Sequence, residues 1–287
     1  MKTFKSICEF QDWRTTQKIS SLGFVPTMGA LHEGHLSLIK KSKQKCNVTI
    51  VSIFINQLQF SPQEDFSSYP RTINHDLKKL KDCNVDIVFM PNAQDMYQND
   101  FTFQVYEPVL SKKLEGQSRP HFFNGVTTVV SKLFNIIQPT DSFFGMKDIQ
   151  QLYIIKKMVR DLNYNIVIHG CPTIREKNGL AMSSRNQYLS PSEKDEAAIL
   201  YQALKKGEEW LLQEKTMCAF IETLMIEYLN TNKNIRLDYL SIRDLRTFET
   251  VDTSAIISFS PTAKEPLVIA GAVYYKKVRL IDNVVML

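Results

Sequence analysis

The sequence predicts an α/β protein: a doubly wound parallel sheet followed by a smaller C-terminal α+β domain. Two patterns carry this. Between residues 23 and 170, short runs rich in β-branched and aromatic residues alternate with segments of helical periodicity. Beyond about residue 171 the alternation stops, and two helical stretches are followed by three strand-like runs. Length agrees, because 287 residues exceed the usual single domain and imply a larger and a smaller one with a cleft.

The strand-like runs of the first part are residues 23–26, 48–55, 85–90, 142–144 and 165–169. Helices lie between them. Ile73, Leu77 and Leu80 repeat at i, i+4 and i+7, and residues 126–137 and 149–162 carry similar apolar faces. Strands alternating with helices build parallel sheets, whose ligands sit at the carboxyl ends of the strands. In the tail, Ser190-Pro191-Ser192-Glu193 is a capping box with proline at the first helical position, so a helix starts there and runs to about residue 213. A second helix is expected over residues 217–229, and strands over 237–242, 267–275 and 278–281. Lys177-Asn178-Gly179 supplies turn chemistry near the boundary.

Composition narrows the function classes. Hydrophobic residues at 44% and charged residues at 23% are enough for a sizeable core. Five cysteines, Cys8, Cys46, Cys83, Cys171 and Cys218, are odd in number and never spaced C-x-x-C, which argues against a disulfide framework or a zinc cluster. The net charge of +5 is spread along the chain, so no nucleic-acid partner is expected, while a polyanionic small substrate suits it. The first ten residues hold no continuous apolar core and no stretch approaches the ~20 apolar residues of a membrane span. The expectation is a cytoplasmic protein without a membrane partner.

Four segments carry chemistry. The first is Pro26-Thr27-Met28-Gly29-Ala30-Leu31-His32-Glu33-Gly34-His35, where the first predicted strand ends and a helix begins. Amides at a helix start attract phosphate, Gly29 and Gly34 allow close backbone approach, and two imidazoles can donate to phosphoryl oxygens. An ATP site follows. The second, Ala181-Met182-Ser183-Ser184-Arg185-Asn186, offers two hydroxyls and a guanidinium that can fork onto phosphate. In Phe144-Gly145-Met146-Lys147-Asp148-Ile149-Gln150-Gln151, the spacing lets Lys147, Asp148 and Gln151 share one face of a first helical turn. In Phe54-Ile55-Asn56-Gln57-Leu58-Gln59-Phe60 an apolar strand ends in amides, which suit hydroxyl and carboxylate recognition. His75 and His169 read as ordinary structural residues.

Taken together these segments resemble the pantothenate synthetase family, within the H-x-G-H nucleotidyltransferase superfamily. The matching stretches are residues 24–38, 69–72, 125–139, 145–152 and 170–189. The resemblance implies a Rossmann-like domain over residues 1–175 that binds ATP and pantoate, and a smaller α+β domain over 176–287 that closes over the active site. It implies condensation of pantoate with β-alanine through a pantoyl adenylate, using ATP and Mg2+ and releasing AMP and diphosphate, by a homodimer. Carried over by position, the nucleotide contacts fall on Met28, Gly29, Ala30, Leu31, His32, Glu33, Gly34, His35, Gly145, Met146, Lys147, Asp148, Ile174, Met182, Ser183, Ser184 and Arg185. His35, at the proton-donor position, His32, Lys147 and Arg185 are the catalytic set, while Gln59 and Gln151 bind pantoate, with Gln59 bordering the β-alanine site. The magnesium ligands stay unassigned. Three positions depart from the family pattern: Gln57 replaces a proline, Met146 a glutamate, and Phe122 a histidine, beside which stands His121. The rival readings are another H-x-G-H nucleotidyltransferase and a nucleotide-binding protein without turnover.

Overall fold

The computed structural model describes residues 1–62, 64–213, 217–251 and 266–287. It divides into two compact units, one of residues 1–111, 119–146 and 151–172, the other of residues 112–118, 147–150 and 173–287.

The elements run β1 (Lys2–Phe4), α1 (Ile7–Thr15), β2 (Leu22–Thr27), α2 (Glu33–Lys45), β3 (Val48–Ile53), α3 (Ile73–Asp82), β4 (Ile87–Phe89), α4 (Ala93–Met96), α5 (Glu115–Ser118), α6 (Phe122–Ile137), β5 (Asp141–Gly145), α7 (Ile149–Asp161) and β6 (Val167–Cys171). The six strands form one sheet in the order β1-β4-β3-β2-β5-β6, with every pairing parallel. Chain order reverses direction between β2 and β5, which is the switch point where doubly wound sheets receive ligands. There β2 and β5 pair only at Gly23 and Phe24 with Asp141 and Ser142, so their carboxyl ends are not laddered together. Pro26 shows why a proline is tolerated inside this central strand. The carbonyls of Leu22 and Phe24 point toward β5, where they accept from Thr140 and Ser142, so Pro26 two residues on lacks its N–H on a side where the ladder has already ended.

Buried Val25, Ile39, Val51, Leu80, Val88 and Phe143 make one core of this unit. The three-residue strand β1 went unpredicted because it is too short for periodicity to mark; it rests on Phe4, buried against Phe10 and Trp13. At the strand starts, His169 Nε2 lies 2.7 Å from Asp141 Oδ1 and its ring stacks on Phe143. Burial alone would raise the Asp141 carboxyl, but the bonds from His169 and Thr140 hold it below the usual value. His75 is exposed on α3.

In the second unit α8 (Pro191–Ala197), α9 (Ile199–Gln213) and α10 (Cys218–Asn230) precede an antiparallel sheet of β7 (Ile235–Asp244), β8 (Leu267–Tyr275) and β9 (Val278–Met286), ordered β7-β8-β9. Leu200, Leu204, Ile221, Met225, Ile269 and Val273 lie in its core. The capping box at Ser190 and Glu193 forms as expected. The single helix predicted from there to residue 213 is instead two, broken at Ala198, a fully buried residue whose neighbours carry no proline or glycine to signal the break. Arg279 on β9 grips Glu115 with both terminal nitrogens, at 2.6 and 2.8 Å, and also Asp238 on β7, which ties residues 112–118 into this unit.

Burial pushes the thiols of Cys46 and Cys218 up to about 11 and raises those of Cys83 and Cys171, while Cys8 lies exposed on α1. Among the described residues no helix is long and apolar enough to cross a membrane.

Candidate active site

The switch point gathers three of the four predicted segments at the carboxyl ends of neighbouring strands. Residues 54–60 follow β3, residues 28–35 follow β2, and residues 145–146 end β5.

The turn after β2 is built around positive φ. Gly29 has φ +81° and Ala30 +49°, the second a left-handed conformation that costs an alanine about 1 kcal/mol. The compensation comes from Asp76 on α3, 1% exposed, whose carboxylate accepts from Ala30 N at 2.9 Å, Leu31 N at 2.8 Å and Thr72 Oγ1 at 3.2 Å. Lys79, one turn on, donates to the Leu31 carbonyl. Charge-assisted bonds of this kind contribute roughly 1.5–3 kcal/mol each, so the carboxylate outweighs the strain. Sequence reasoning missed Asp76. The available signal was a carboxylate on the stripe of Leu77 and Leu80; in the structure Asp76 and Leu80 are buried, whereas Ile73, expected on that face, is 42% exposed.

At the start of α2 the two imidazoles cap the helix. His32 Nδ1 accepts from Gly34 N at 3.2 Å, and His35 Nδ1 accepts from His32 N at 3.3 Å. A backbone N–H can only donate, so each Nδ1 is bare and each neutral ring carries its proton on Nε2. The rings lie 4.1 Å apart, centroid to centroid. The H-x-G-H spacing therefore does two jobs: it closes a capping box and fixes both tautomers as Nε2–H donors.

After β3, Asn56 is 1% exposed, turned inward rather than toward a ligand. Its Nδ2 donates to Gln59 Oε1, and Gln59 Nε2 lies 3.0 Å from Met28 Sδ, so two predicted site residues meet. Helix α6 comes up against this turn at Gly125, where a Cβ would fall 2.3 Å from the Leu58 oxygen; only glycine fits. Gln57 begins the 3-10 turn Gln57–Gln59 and is exposed, a first-turn position that proline also tolerates. Phe122 supplies a ring face 3.9 Å from the Arg119 guanidinium, which pairs with Glu64 and donates to the Gln59 carbonyl. His121 is exposed and makes no side-chain cap bond.

Residues 146–148 correct an expectation. Met146–Asp148 form a 3-10 turn and α7 begins only at Ile149, so Lys147, Asp148 and Gln151 do not stand in one α-helical turn. In the first unit Met146 lies against β6, its Cγ 3.4 Å from where a Cβ on Gly170 would stand, and Gln151 is half-buried. In the second unit the Lys147 carbonyl accepts from Asn283 Nδ2 on β9 at 2.8 Å, and Lys147 and Asp148 are half-buried. The remaining segment, residues 181–186, also belongs to this unit. Ile174 accepts from Met182 N, closing a hairpin whose turn residue Gly179 has φ +95°. Ser183 caps the 3-10 turn Ser184–Tyr188 by accepting from Arg185 N at 3.3 Å; Ser184 is buried, and Asn186 donates to Glu176 and to the Ala181 carbonyl.

A doubly wound sheet with an H-x-G-H turn at its switch point defines the class, an α/β fold arranged to receive a negatively charged group beside β2. The family model for pantoate-beta-alanine ligase matches residues 2–285. Pantothenate synthetase of Carboxydothermus hydrogenoformans is 46% identical, over 100% of this chain and 99% of that protein, and its counterpart in Thermotoga neapolitana is 43% identical over 100% and 99%. Among solved structures, pantothenate synthetase from Thermus thermophilus superposes with a TM-score of 0.89 at 38% identity, covering 99% of each chain. A pantoate-beta-alanine ligase from Francisella tularensis, complexed with beta-gamma ATP and beta-alanine, gives 0.79 at 33% identity over 99% of this chain and 97% of that one. The chain belongs to the pantoate-beta-alanine ligase family.

Proposed function

We propose that the protein joins pantoate to β-alanine at the expense of ATP, by way of a pantoyl adenylate. The observation that carries this is the pair of Nε2–H imidazoles fixed at the switch point, His32 and His35, which are donors preset for phosphoryl oxygens. The ATP-complexed relative supports the substrate. In the first half-reaction a pantoate carboxylate oxygen bonds to the α-phosphorus of ATP as the bond to the bridging oxygen breaks and diphosphate leaves. Charge accumulates on phosphoryl oxygens, so catalysis rests on positioning and preset positive charge. His32 and His35 donate to those oxygens, and Lys147 and Arg185 supply full charges. The turn residues Met28 to Leu31, with Glu33 and Gly34, form the rest of the nucleotide contact, together with Gly145, Met146, Asp148, Ile174, Met182, Ser183 and Ser184. In the second half-reaction the amine nitrogen of β-alanine bonds to the acyl carbon, the carbon–oxygen bond to AMP breaks, and the amine loses a proton to solvent. Gln59 and Gln151 hold pantoate, and Gln59 also borders the amine substrate.

Magnesium neutralises triphosphate charge when bound. This ion commonly keeps several waters and binds through substrate phosphates with one or two carboxylates, and Asp148, a hard oxygen donor next to Lys147, fits that manner of binding. We also propose a homodimer. Phe103, Tyr106 and Val109 are exposed by 78%, 50% and 53%, on a segment pinned by bonds between Val105 and Thr127 and Thr128, and a second copy would cover them. Sedimentation of Phe103→Ser should show a monomer where the parent chain shows a dimer.

The test of the reaction is exchange of labelled diphosphate into ATP. Pantoate and ATP alone should support it, and His35→Ala should slow it by about 10² to 10³, as loss of one preset oxyanion donor does. Exchange that requires β-alanine would overturn the adenylate route.

A further inference from the structure

The proposed role of Gln59 requires its side-chain amide to face substrate in one of two orientations, nitrogen first or oxygen first, and those recognise opposite chemistry. The surrounding bonds decide between them. Buried Asn56 makes four hydrogen bonds: its Oδ1 accepts from Leu58 N at 3.3 Å and Tyr97 Oη at 2.7 Å, and its Nδ2 donates to the Gly125 carbonyl and to Gln59 Oε1, each at 3.0 Å. Both lone pairs and both hydrogens are used. Two of these partners are main-chain groups of fixed polarity, because an N–H cannot accept and a carbonyl cannot donate. Turning the Asn56 amide over would set donor against donor at Leu58 and acceptor against acceptor at Gly125. With Asn56 fixed, Gln59 must offer it oxygen, which leaves the Gln59 nitrogen at the other end, 3.0 Å from the Met28 sulfur. A thioether is a weak acceptor, so a strong donor is parked on a partner that a substrate oxygen displaces at little cost.

We propose that Tyr97, acting through Asn56, is a positioning residue that keeps the Gln59 amide nitrogen turned toward substrate, so that the group recognised there is a carboxylate or hydroxyl oxygen. This rests on the reading that Gln59 faces pantoate and β-alanine. Tyr97 is suited to the task. It is 8% exposed, its ring packs on Phe54 and Phe101, and burial raises its hydroxyl pKa so that it stays a donor across the working range. Its hydroxyl is also the one bond to Asn56 Oδ1 that can be deleted without touching the main chain or Gln59.

A double-mutant cycle on Tyr97→Phe and Gln59→Ala tests this, with KM read for pantoate, β-alanine and ATP separately and thermal midpoints read alongside. Tyr97→Phe should raise KM for pantoate and β-alanine by about three- to tenfold, leave KM for ATP within about twofold, and add nothing once Gln59 is alanine. A purely structural tyrosine would instead shift all three KM values or multiply with Gln59→Ala, and either result overturns the proposal while the assigned reaction stands. If Gln59→Ala left the pantoate KM unchanged, the role of Gln59 would fall and the positioning role with it. Asn56→Asp, which puts an acceptor where Gln59 presents its oxygen, gives the same readout should Tyr97→Phe lose its fold.

Discussion

The turn of residues 28–31 and the turn of residues 182–186 are both proposed to meet phosphate, yet they are held by different chemistry. The first places an alanine at positive φ and is gripped by a buried carboxylate that takes two main-chain amides and a hydroxyl. The second leaves positive φ to Gly179 and is held by the neutral amide of Asn186, whose own Oδ1 is buried without a partner. Where a turn is strained, a carboxylate that takes two main-chain amides outweighs the strain; where a glycine ahead of the turn takes the positive φ, one amide donating to the Glu176 carboxylate and the Ala181 carbonyl suffices.

The largest effect should come from removing the charge. Asp76→Ala leaves the Ala30 and Leu31 amides buried without an acceptor and should cost roughly 2–6 kcal/mol in chemical denaturation, with Asp76→Asn intermediate. Asn186→Ala should cost only about 1–2 kcal/mol. Equal losses would dissolve the contrast between the two turns. A middle effect is expected at the strand starts, where Asp141 is a second carboxylate with a partner, His169. Its folded-state pKa lies below the unfolded value, so the stability it contributes is complete above about pH 4 and is lost as pH falls through the folded value. His169→Leu should therefore move the acid-unfolding midpoint, followed by circular dichroism, to higher pH. An unmoved midpoint would confine charged anchoring to the Asp76 turn. The smallest effect belongs to Met146, whose side chain lies against Gly170 in the first unit. Met146→Glu should change kcat/KM for ATP by less than about threefold, under roughly 0.7 kcal/mol. A tenfold gain would make this position part of the phosphate site.

Strand and helix alternation was legible because β-branched runs and 3.6-residue stripes announce themselves locally. The H-x-G-H segment was legible for a related reason: residues three apart at a helix start reach each other's amides, so spacing alone carries the geometry. Asp76 was not, because counting apolar positions along α3 passes over the polar residue among them, and the two amides it holds lie more than forty positions earlier. Tyr97 was hidden likewise, its partner Asn56 standing 41 residues away. For Lys147 and Asp148 the spacing reads as an α-turn where the chain makes a tighter one, since the sequence there contains nothing that separates the two.

The uneven burial of the thiols gives the chain an intrinsic optical handle. Four of the five cysteines have pKa values raised by burial, two of them to about 11, while Cys8 sits exposed on α1 behind the three-residue edge strand β1. A maleimide fluorophore should attach to the folded protein at Cys8 without any engineering, with half-buried Cys83 following more slowly, because Cys46, Cys171 and Cys218 are buried. The labels taken up beyond these two then count how much of the interior has opened, up to five when the cores are lost.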